Sequence, residues 1–285
     1  MILIVDGGST KTDWCFAVSP SSVITVRTDG LNPVIQQADD ISDTLMCQLL
    51  PEMQAQGVMS SAVTAVHYYG AGCTPERKHV METLLSGCFA EATRVTVDSD
   101  LLAAARALCG RQAGVACILG TGSNSCLYDG DRIVANTPAL GYILGDEGSG
   151  SVLGRRFLNA LLKGCLPKGL REEFFETCHT SLNDIIERVY RRPMPNRFLA
   201  STSRFIADRL YIGELEQMVI ANFECFILNN LHAYSVSDKV FHAIGGMATA
   251  YEAQLRKAAE RQGWRVGVVE RTPVSGLIAY HCCEP

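Results

Sequence analysis

The sequence predicts a duplicated α/β protein with two domains and mixed sheets. Two glycine-rich turns of one kind lead there first. They are Val5-Asp6-Gly7-Gly8-Ser9-Thr10-Lys11-Thr12 and Leu119-Gly120-Thr121-Gly122-Ser123-Asn124-Ser125. Each follows a short apolar run and leads into another strand-like stretch. Each half of the chain then reads as three strands followed by alternating helices and strands, the pattern of sheets with helices on their faces. Finally, 285 residues suit one large domain or two modest ones, and 47% hydrophobic with 19% charged content allows a sizeable core.

In the first half, strands are expected at about 1–6, 13–18 and 23–28, a helix over 38–50 and a strand near 62–69. Thr74-Pro75-Glu76 places a hydroxyl, a proline and an acid where a helix begins, and Val80, Leu84 and Cys88 follow at helical spacing. A short strand over 94–97 and an alanine-rich helix over 101–108 follow, with Gly110 as a stop. Gly110 to Gly114 is the expected hinge, so the domains run 1–112 and 113–273.

The second half repeats the opening. Strands are expected at 115–119, 125–128 and 132–135, with Asp129-Gly130 as a hairpin signal. Helical patterns cover 149–162, 170–178, 182–190, 196–210 and 214–232, an insertion without strands. A strand near 239–244, a helix over 248–261, a strand over 265–269 and a helix over 274–281 complete the pattern.

Composition excludes some classes. The net charge is −5 with no run of like charges, so no basic footprint for nucleic acid is visible. The apolar start ends at Asp6, too short for a signal core or a membrane span, which makes a soluble, cytoplasmic protein without membrane partners the expectation. The twelve cysteines are scattered with no C-x-x-C pair, so zinc and thioredoxin-like readings fail; His281-Cys282-Cys283 reads as a tail with incidental thiols.

The chemistry-bearing residues cluster at the turns. A strand–turn–strand tipped with small hydroxyl residues presents N–H and O–H donors to an oxyanion. Neither turn opens a helix and the chain has no Gly-Lys dipeptide, so the G-x-G-x-x-G and Walker A motifs do not apply. Asp6 either holds a metal ion beside phosphates or stabilises the turn. Asp100 either accepts a proton from a substrate hydroxyl or caps the helix after it, and Asp98 is its neighbour and rival. Asp146 and Glu147, flanked by glycines, can reach sugar hydroxyls or a metal, or cap a helix. Gly30-Leu31-Asn32-Pro33 and Tyr69-Gly70-Ala71-Gly72 read as pocket-lining loops. Gly245-Gly246-Met247 reads as a tight strand-to-helix turn suited to the adenosine end of a nucleotide.

Together these segments resemble the actin/hexokinase/heat-shock-chaperone superfamily of ATPases. Within it they resemble the N-acetylglucosamine kinase branch, grouped with the ATPase activators of benzoyl-CoA reductase and hydroxyacyl-CoA dehydratases. The order D-G-G-S-T-K-T, D-S-D, G-T-G-S-N, G-Y-I-L-G-D-E-G-S, G-G-M-A carries the likeness from Asp6 to Gly276. Asn32-Pro33 matches the sugar loop of the animal enzymes only in part. The resemblance implies a duplicated ribonuclease-H-like fold with a nucleotide cleft and a C-terminal helix, about 274–283, returning to the first domain. It implies ATP and Mg²⁺, with Gly7, Gly8, Ser9, Thr10, Lys11, Thr12, Gly120, Thr121, Gly122 and Ser123 on phosphates, Gly245 and Gly246 on adenosine, and Asp6 on the metal. Asp100 matches the catalytic aspartate, and Asn32, Gly72, Asn124, Asp146 and Glu147 match sugar positions. The implied activity is phosphorylation of an amino sugar, N-acetylglucosamine at its 6-hydroxyl, by a homodimer. Two alternatives stand beside it. One is an ATPase activator with an iron–sulfur cluster, for which Cys117 and Cys126 flank the second turn. The other is a sugar-sensing repressor, for which no DNA-binding module is visible.

Overall fold

The computed structural model describes residues 1–8 and 11–282, so Ser9, Thr10 and Cys283 lie outside the described residues. The chain forms two compact units. One contains Met1–Gln112, the turn Gly130–Arg132 and the segment from Thr272 onward; the other contains Ala113–Asp129 and Ile133–Arg271.

The first unit is built on a five-stranded sheet of order β3-β2-β1-β4-β5. Strands β1 (Ile2–Gly7), β2 (Lys11–Ser19) and β3 (Ser22–Asp29) form an antiparallel meander, while β4 (Ala65–Gly70) and β5 (Arg94–Ser99) run parallel to β1. β1 is central and apolar on both faces, as a strand covered by helices on both sides must be. One face buries Leu3, Val5, Trp14 and Tyr68 under α1 (Ala38–Thr44), α2 (Leu50–Ala55) and α3 (Lys78–Cys88). The other buries Ile4, Cys15 and Tyr69 under α4 (Asp100–Cys109) and α14 (Val274–Cys282). The register aligns Gly7 with Gly70 and Gly70 with Ser99, so the carboxyl ends of β1, β4 and β5 finish on one row.

Two local readings change. The helix expected over 38–50 continues to Ala55 through a wider stretch at Leu45–Leu49, where the Leu50 N–H reaches back five residues to the Leu45 carbonyl. Pro51 follows, and a proline lacks the N–H and crowds the carbonyl four residues back, which a widened turn relieves. Thr74-Pro75-Glu76 does not start a helix. The Thr74 carbonyl accepts from Arg77 and Lys78 in a turn, and the helix begins at Lys78.

The second unit repeats the plan with order β10-β9-β6-β7-β8. Strands β6 (Gly114–Leu119), β7 (Ser123–Tyr128) and β8 (Ile133–Thr137) are antiparallel, and β9 (Val240–Ile244) and β10 (Arg265–Glu270) run parallel to β6. A short helix that sequence did not signal, α5 (Gly141–Leu144), precedes the helical insertion: α6 (Gly150–Leu162), α7 (Leu170–Thr177), α8 (Leu182–Tyr190), α9 (Pro195–Ser201), α10 (Ser203–Ala207) and α11 (Gly213–Phe226). Phe157, Phe174 and Phe205 meet edge-on or tilted at 5.0–5.7 Å and form the centre of that insertion. The pattern over 196–210 divides at Thr202, whose hydroxyl donates back to the Leu199 carbonyl at 2.8 Å. The pattern over 248–261 divides at Tyr251 into α12 (Gly246–Ala250) and α13 (Glu252–Arg261). No helix among the described residues is long and apolar enough to cross a membrane.

Candidate active site

In the first unit the site grows from the carboxyl ends of β1, β4 and β5. The β1–β2 turn is closed by the Gly8 N–H donating to the Lys11 carbonyl at 3.0 Å. Gly7 and Gly70 lack side chains for a steric reason: a Cβ on either would run into the ring of Tyr68 beneath them. The Ala71 N–H donates to the Gly7 carbonyl at 2.9 Å and ties the Tyr69-Gly70-Ala71-Gly72 loop to the first turn. Gly72 has φ +77, and a Cβ there would overlap the Asn32 carboxamide, so two residues expected around the sugar are in direct contact.

Carboxylates crowd this strand end. Asp6 stands opposite Asp13 in the β1–β2 register. Burial, then Asp13 and Asp100, push the Asp6 carboxyl up to about 6, against the lowering field of Lys11. Asp13 goes the other way. Burial alone would raise it, but hydrogen bonds from Lys11 and Arg27, each at 2.6 Å, hold it below the usual range. Lys11 is thus engaged by Asp13, and Thr12 is buried within the sheet.

Asp100 is the first residue of α4, and the capping alternative goes to its neighbour. The Ser99 side chain accepts from the Leu102 N–H at 3.2 Å, so Ser99 is the N-cap. Burial raises the Asp100 carboxyl, partly offset by its own and the Leu101 backbone N–H. Asp98 differs: it forms an ion pair with Arg106 at 3.5 Å. Of the two, Asp100 is the carboxylate not held by an arginine.

In the second unit the second turn is closed by the Gly120 N–H donating to the Gly122 carbonyl at 2.9 Å. Its back is tied to α6, with the Gly150 N–H donating to Gly120 and the Ser151 N–H to Thr121. Asp146, at φ 55, lies against this turn: its carboxylate accepts from the Ser123 N–H at 3.4 Å, and a Cβ on Gly122 would come within 3.0 Å of it. Burial and then the nearby Glu147 charge raise the Asp146 carboxyl, against the Ser123 hydrogen bond. The Ser123 hydroxyl donates to the Glu147 carbonyl at 2.7 Å, and the Glu147 carboxylate accepts from Asn229 at 2.9 Å. Ser149, not Asp146 or Glu147, caps α6, accepting from the Val152 N–H. The Asn124 carboxamide oxygen accepts from Ser125 and Asn136, both at 2.9 Å. Gly245, at φ +124, packs against the Leu119 carbonyl where any side chain would collide.

A cavity of about 280 Å³ lies beside the second turn, lined by Gly120, Thr121, Gly150, Ala200, Ser203, Gly246 and Met247. A second of about 380 Å³ shares Ser203 and Gly246 and adds Arg204, Thr249 and Arg271. Gly150, Ala200 and Ser203 were not singled out from sequence. The available signal was Gly150 and Gly154, four apart on one face of α6, where Gly154 meets the Leu199 backbone of α9.

Cys117 and Cys126 are wholly buried in the sheet of this unit. Among the described residues no group of three or more His, Cys, Asp or Glu side chains could hold a metal ion.

No protein-family model matches the chain. A candidate N-acetylglucosamine kinase from Porphyromonas gingivalis is 46% identical, with 99% of each chain covered and a TM-score of 0.95. The N-acetylmuramic acid/N-acetylglucosamine kinase of Clostridium acetobutylicum is 23% identical over 222 residues, 75% of this chain and 72% of that one. A candidate N-acetylglucosamine kinase from Chromobacterium violaceum shares the fold at a TM-score of 0.72 with 18% identity, covering 98% and 99% of the two chains. With the duplicated sheets and the two glycine turns, these likenesses show that the chain belongs to the N-acetylglucosamine kinase family, a branch of the actin/hexokinase superfamily of ATP-dependent phosphotransferases.

Proposed function

We propose that this protein transfers the γ-phosphoryl group of ATP to the 6-hydroxyl of N-acetylglucosamine. The observation that carries the reading is Asp100: a carboxylate at the head of α4, raised by burial, accepting from the backbone N–H groups of the first turn and, among the described residues, in no ion pair with an arginine, while its neighbour Asp98 is taken by Arg106. Phosphoryl transfer asks the protein mainly for positioning and for a group that accepts the nucleophile's proton. Asp100 takes the hydroxyl proton as the sugar oxygen bonds to phosphorus and the bond to the β-phosphate oxygen breaks, releasing ADP. A carboxyl raised toward the working pH makes a better proton acceptor than an ordinary one.

The turns supply the phosphate donors. Gly7, Gly8, Ser9 and Thr10 are the proposed first set and Gly120 to Ser123 the second, while Lys11 is held by Asp13 and Thr12 is buried in the sheet behind the turn. The paired cavities at Ser203 and Gly246 take the adenosine, where small residues at 150 and 200 leave room for a flat base. Asn32 and Gly72, which touch within the first unit, are the proposed sugar contacts there.

The residues present fit Mg²⁺ of the kind that nucleotides bring. Mg²⁺ keeps waters and phosphate ligands and needs only one or two carboxylates. Asp6 is a half-buried carboxyl pushed up by desolvation and then by Asp13 and Asp100, which a divalent cation would relieve. Two polar atoms of the neighbouring strands, Thr12 Oγ1 and Tyr68 Oη, are buried without hydrogen-bond partners among the described residues. When bound, the ion neutralises charge on the β- and γ-phosphates.

A coupled assay of ADP release over glucosamine, N-acetylglucosamine, glucose, mannosamine and N-acetylmannosamine tests the reading. N-acetylglucosamine should give the highest turnover. A basal rate unchanged by every sugar would contradict it.

A further inference from the structure

The first unit contains a partly open polar cavity of its own, away from the glycine turns, on the edge strand β5 where α4 and α14 pack over the sheet. Its volume is about 180 Å³, room for on the order of six waters. Its walls carry three guanidinium groups, Arg94, Arg106 and Arg111, against two carboxylates, Asp98 and Asp131. The remaining titratable walls are Tyr280 and two imidazoles, His67 and His281, stacked at 3.8 Å. Both imidazoles are neutral at physiological pH. Burial and then Arg94 and Arg106 push His67 down to about 4; burial, His67 and the same arginines with Arg111 push His281 down to about 3. The cavity therefore carries one net positive charge from its arginines and carboxylates.

Its hydrogen-bonding character points the same way. Arg106 donates from Nη1 to the Tyr69 hydroxyl at 2.8 Å and faces Asp98 at 3.5 Å, while its Nε is shut off from solvent with no hydrogen-bond partner. Tyr280 lies between two guanidiniums, 5.3 Å from Arg106 and 4.5 Å from Arg111. Among the described residues no three His, Cys, Asp or Glu side chains are placed to hold a metal cation, and a cation here would face three arginines. An oxyanion would find guanidinium forks, which match phosphate geometry in a way a lysine does not.

We propose that this cavity is a second ligand site, separate from the nucleotide and sugar positions, that takes a small oxyanion, phosphate or the head of a small phosphate monoester, on Arg94, Arg106 and Arg111. The long Arg106–Asp98 pair is the contact an anion would displace, since a tight bidentate partner outcompetes an ion pair at 3.5 Å.

The test uses the intact chain saturated with Mg²⁺ and a non-hydrolysable ATP analogue, so that the phosphate loops are filled. Inorganic phosphate and glycerol 3-phosphate are titrated at constant ionic strength, read by calorimetry and by the melting temperature, which rises with any ligand that prefers the folded state. Saturable binding of either probe is expected; equal affinities identify free phosphate as the ligand, and tighter glycerol 3-phosphate identifies a monoester. Arg94→Gln with Arg111→Gln should weaken that binding at least tenfold with basal ADP release unchanged. The milder Arg111→Lys, which keeps the charge and loses the fork, should weaken it several-fold in a fold close to the parent. Binding that never saturates, that disappears once the analogue is present, or that is equally tight in both variants would overturn the proposal.

Discussion

Asp6 illustrates how much of this site is set residue by residue. Its carboxyl stands at about 6 because burial and two further carboxylates act on it together. Binding a divalent cation with nucleotide requires the ionised form. Affinity for the Mg²⁺–nucleotide complex should therefore fall as pH drops through about 6, by up to tenfold per pH unit, and Asp6→Asn should bind weakly with a flat profile. Isothermal titration at pH 5 to 8 checks this; a parent profile as flat as the variant's removes Asp6 from the role. The sequence placed Asp6 correctly at a strand end but could not show its neighbours, because Asp13 and Asp100 reach it through register and crossover rather than through spacing. It likewise left Asp100 open between capping and catalysis. The capping half of that question turns on which of two adjacent residues points its oxygen at the Leu102 N–H, a torsional fact that composition does not encode.

At the scale of elements, the strands and both glycine turns were legible because their signals are local: short apolar runs and residues that tolerate tight turns. Helix starts were less so. Thr74-Pro75-Glu76 has the composition of a helix start yet closes a turn four residues early. The cavity wall formed by α6, α9 and α10 was not legible at all, since Gly150, Ala200 and Ser203 meet only through packing. That wall yields a prediction. Ala200→Leu adds three carbons to a space lined by Gly150 and Gly246. It should raise the KM for ATP at least tenfold and leave the KM for the sugar nearly unchanged, as steady-state kinetics with each substrate varied will show. An equal rise in both constants would place the adenosine elsewhere.

For the whole molecule, the repeated strand order is the main architectural fact, and sequence conveyed it because both halves open on the same strand–turn–strand. The return of α14 to the first sheet has a further consequence. It stacks His281 on His67, residues far apart in sequence, with Tyr69 hydrogen-bonded to His281 at 2.8 Å. Folded, these imidazoles bind protons only near 4 and 3; unfolded, near 6.5. Between those values the unfolded chain holds more protons, so this pair makes stability fall as pH falls below about 6.5, by at most about 1.4 kcal/mol per imidazole per pH unit. Asp6 opposes it, because its raised carboxyl takes up a proton earlier in the folded state. His67→Gln should therefore show a shallower loss of melting temperature between pH 7.5 and 5 than the parent, and parallel curves would contradict the pairing.

The central claim is that Asp100 accepts the sugar's proton. The direct measurement is sugar-dependent ADP release by Asp100→Asn beside its affinity for nucleotide. Turnover should fall roughly 10²–10⁴-fold, with nucleotide binding within a few-fold of the parent. Near-parental turnover, or a loss explained entirely by lost nucleotide binding, would contradict it.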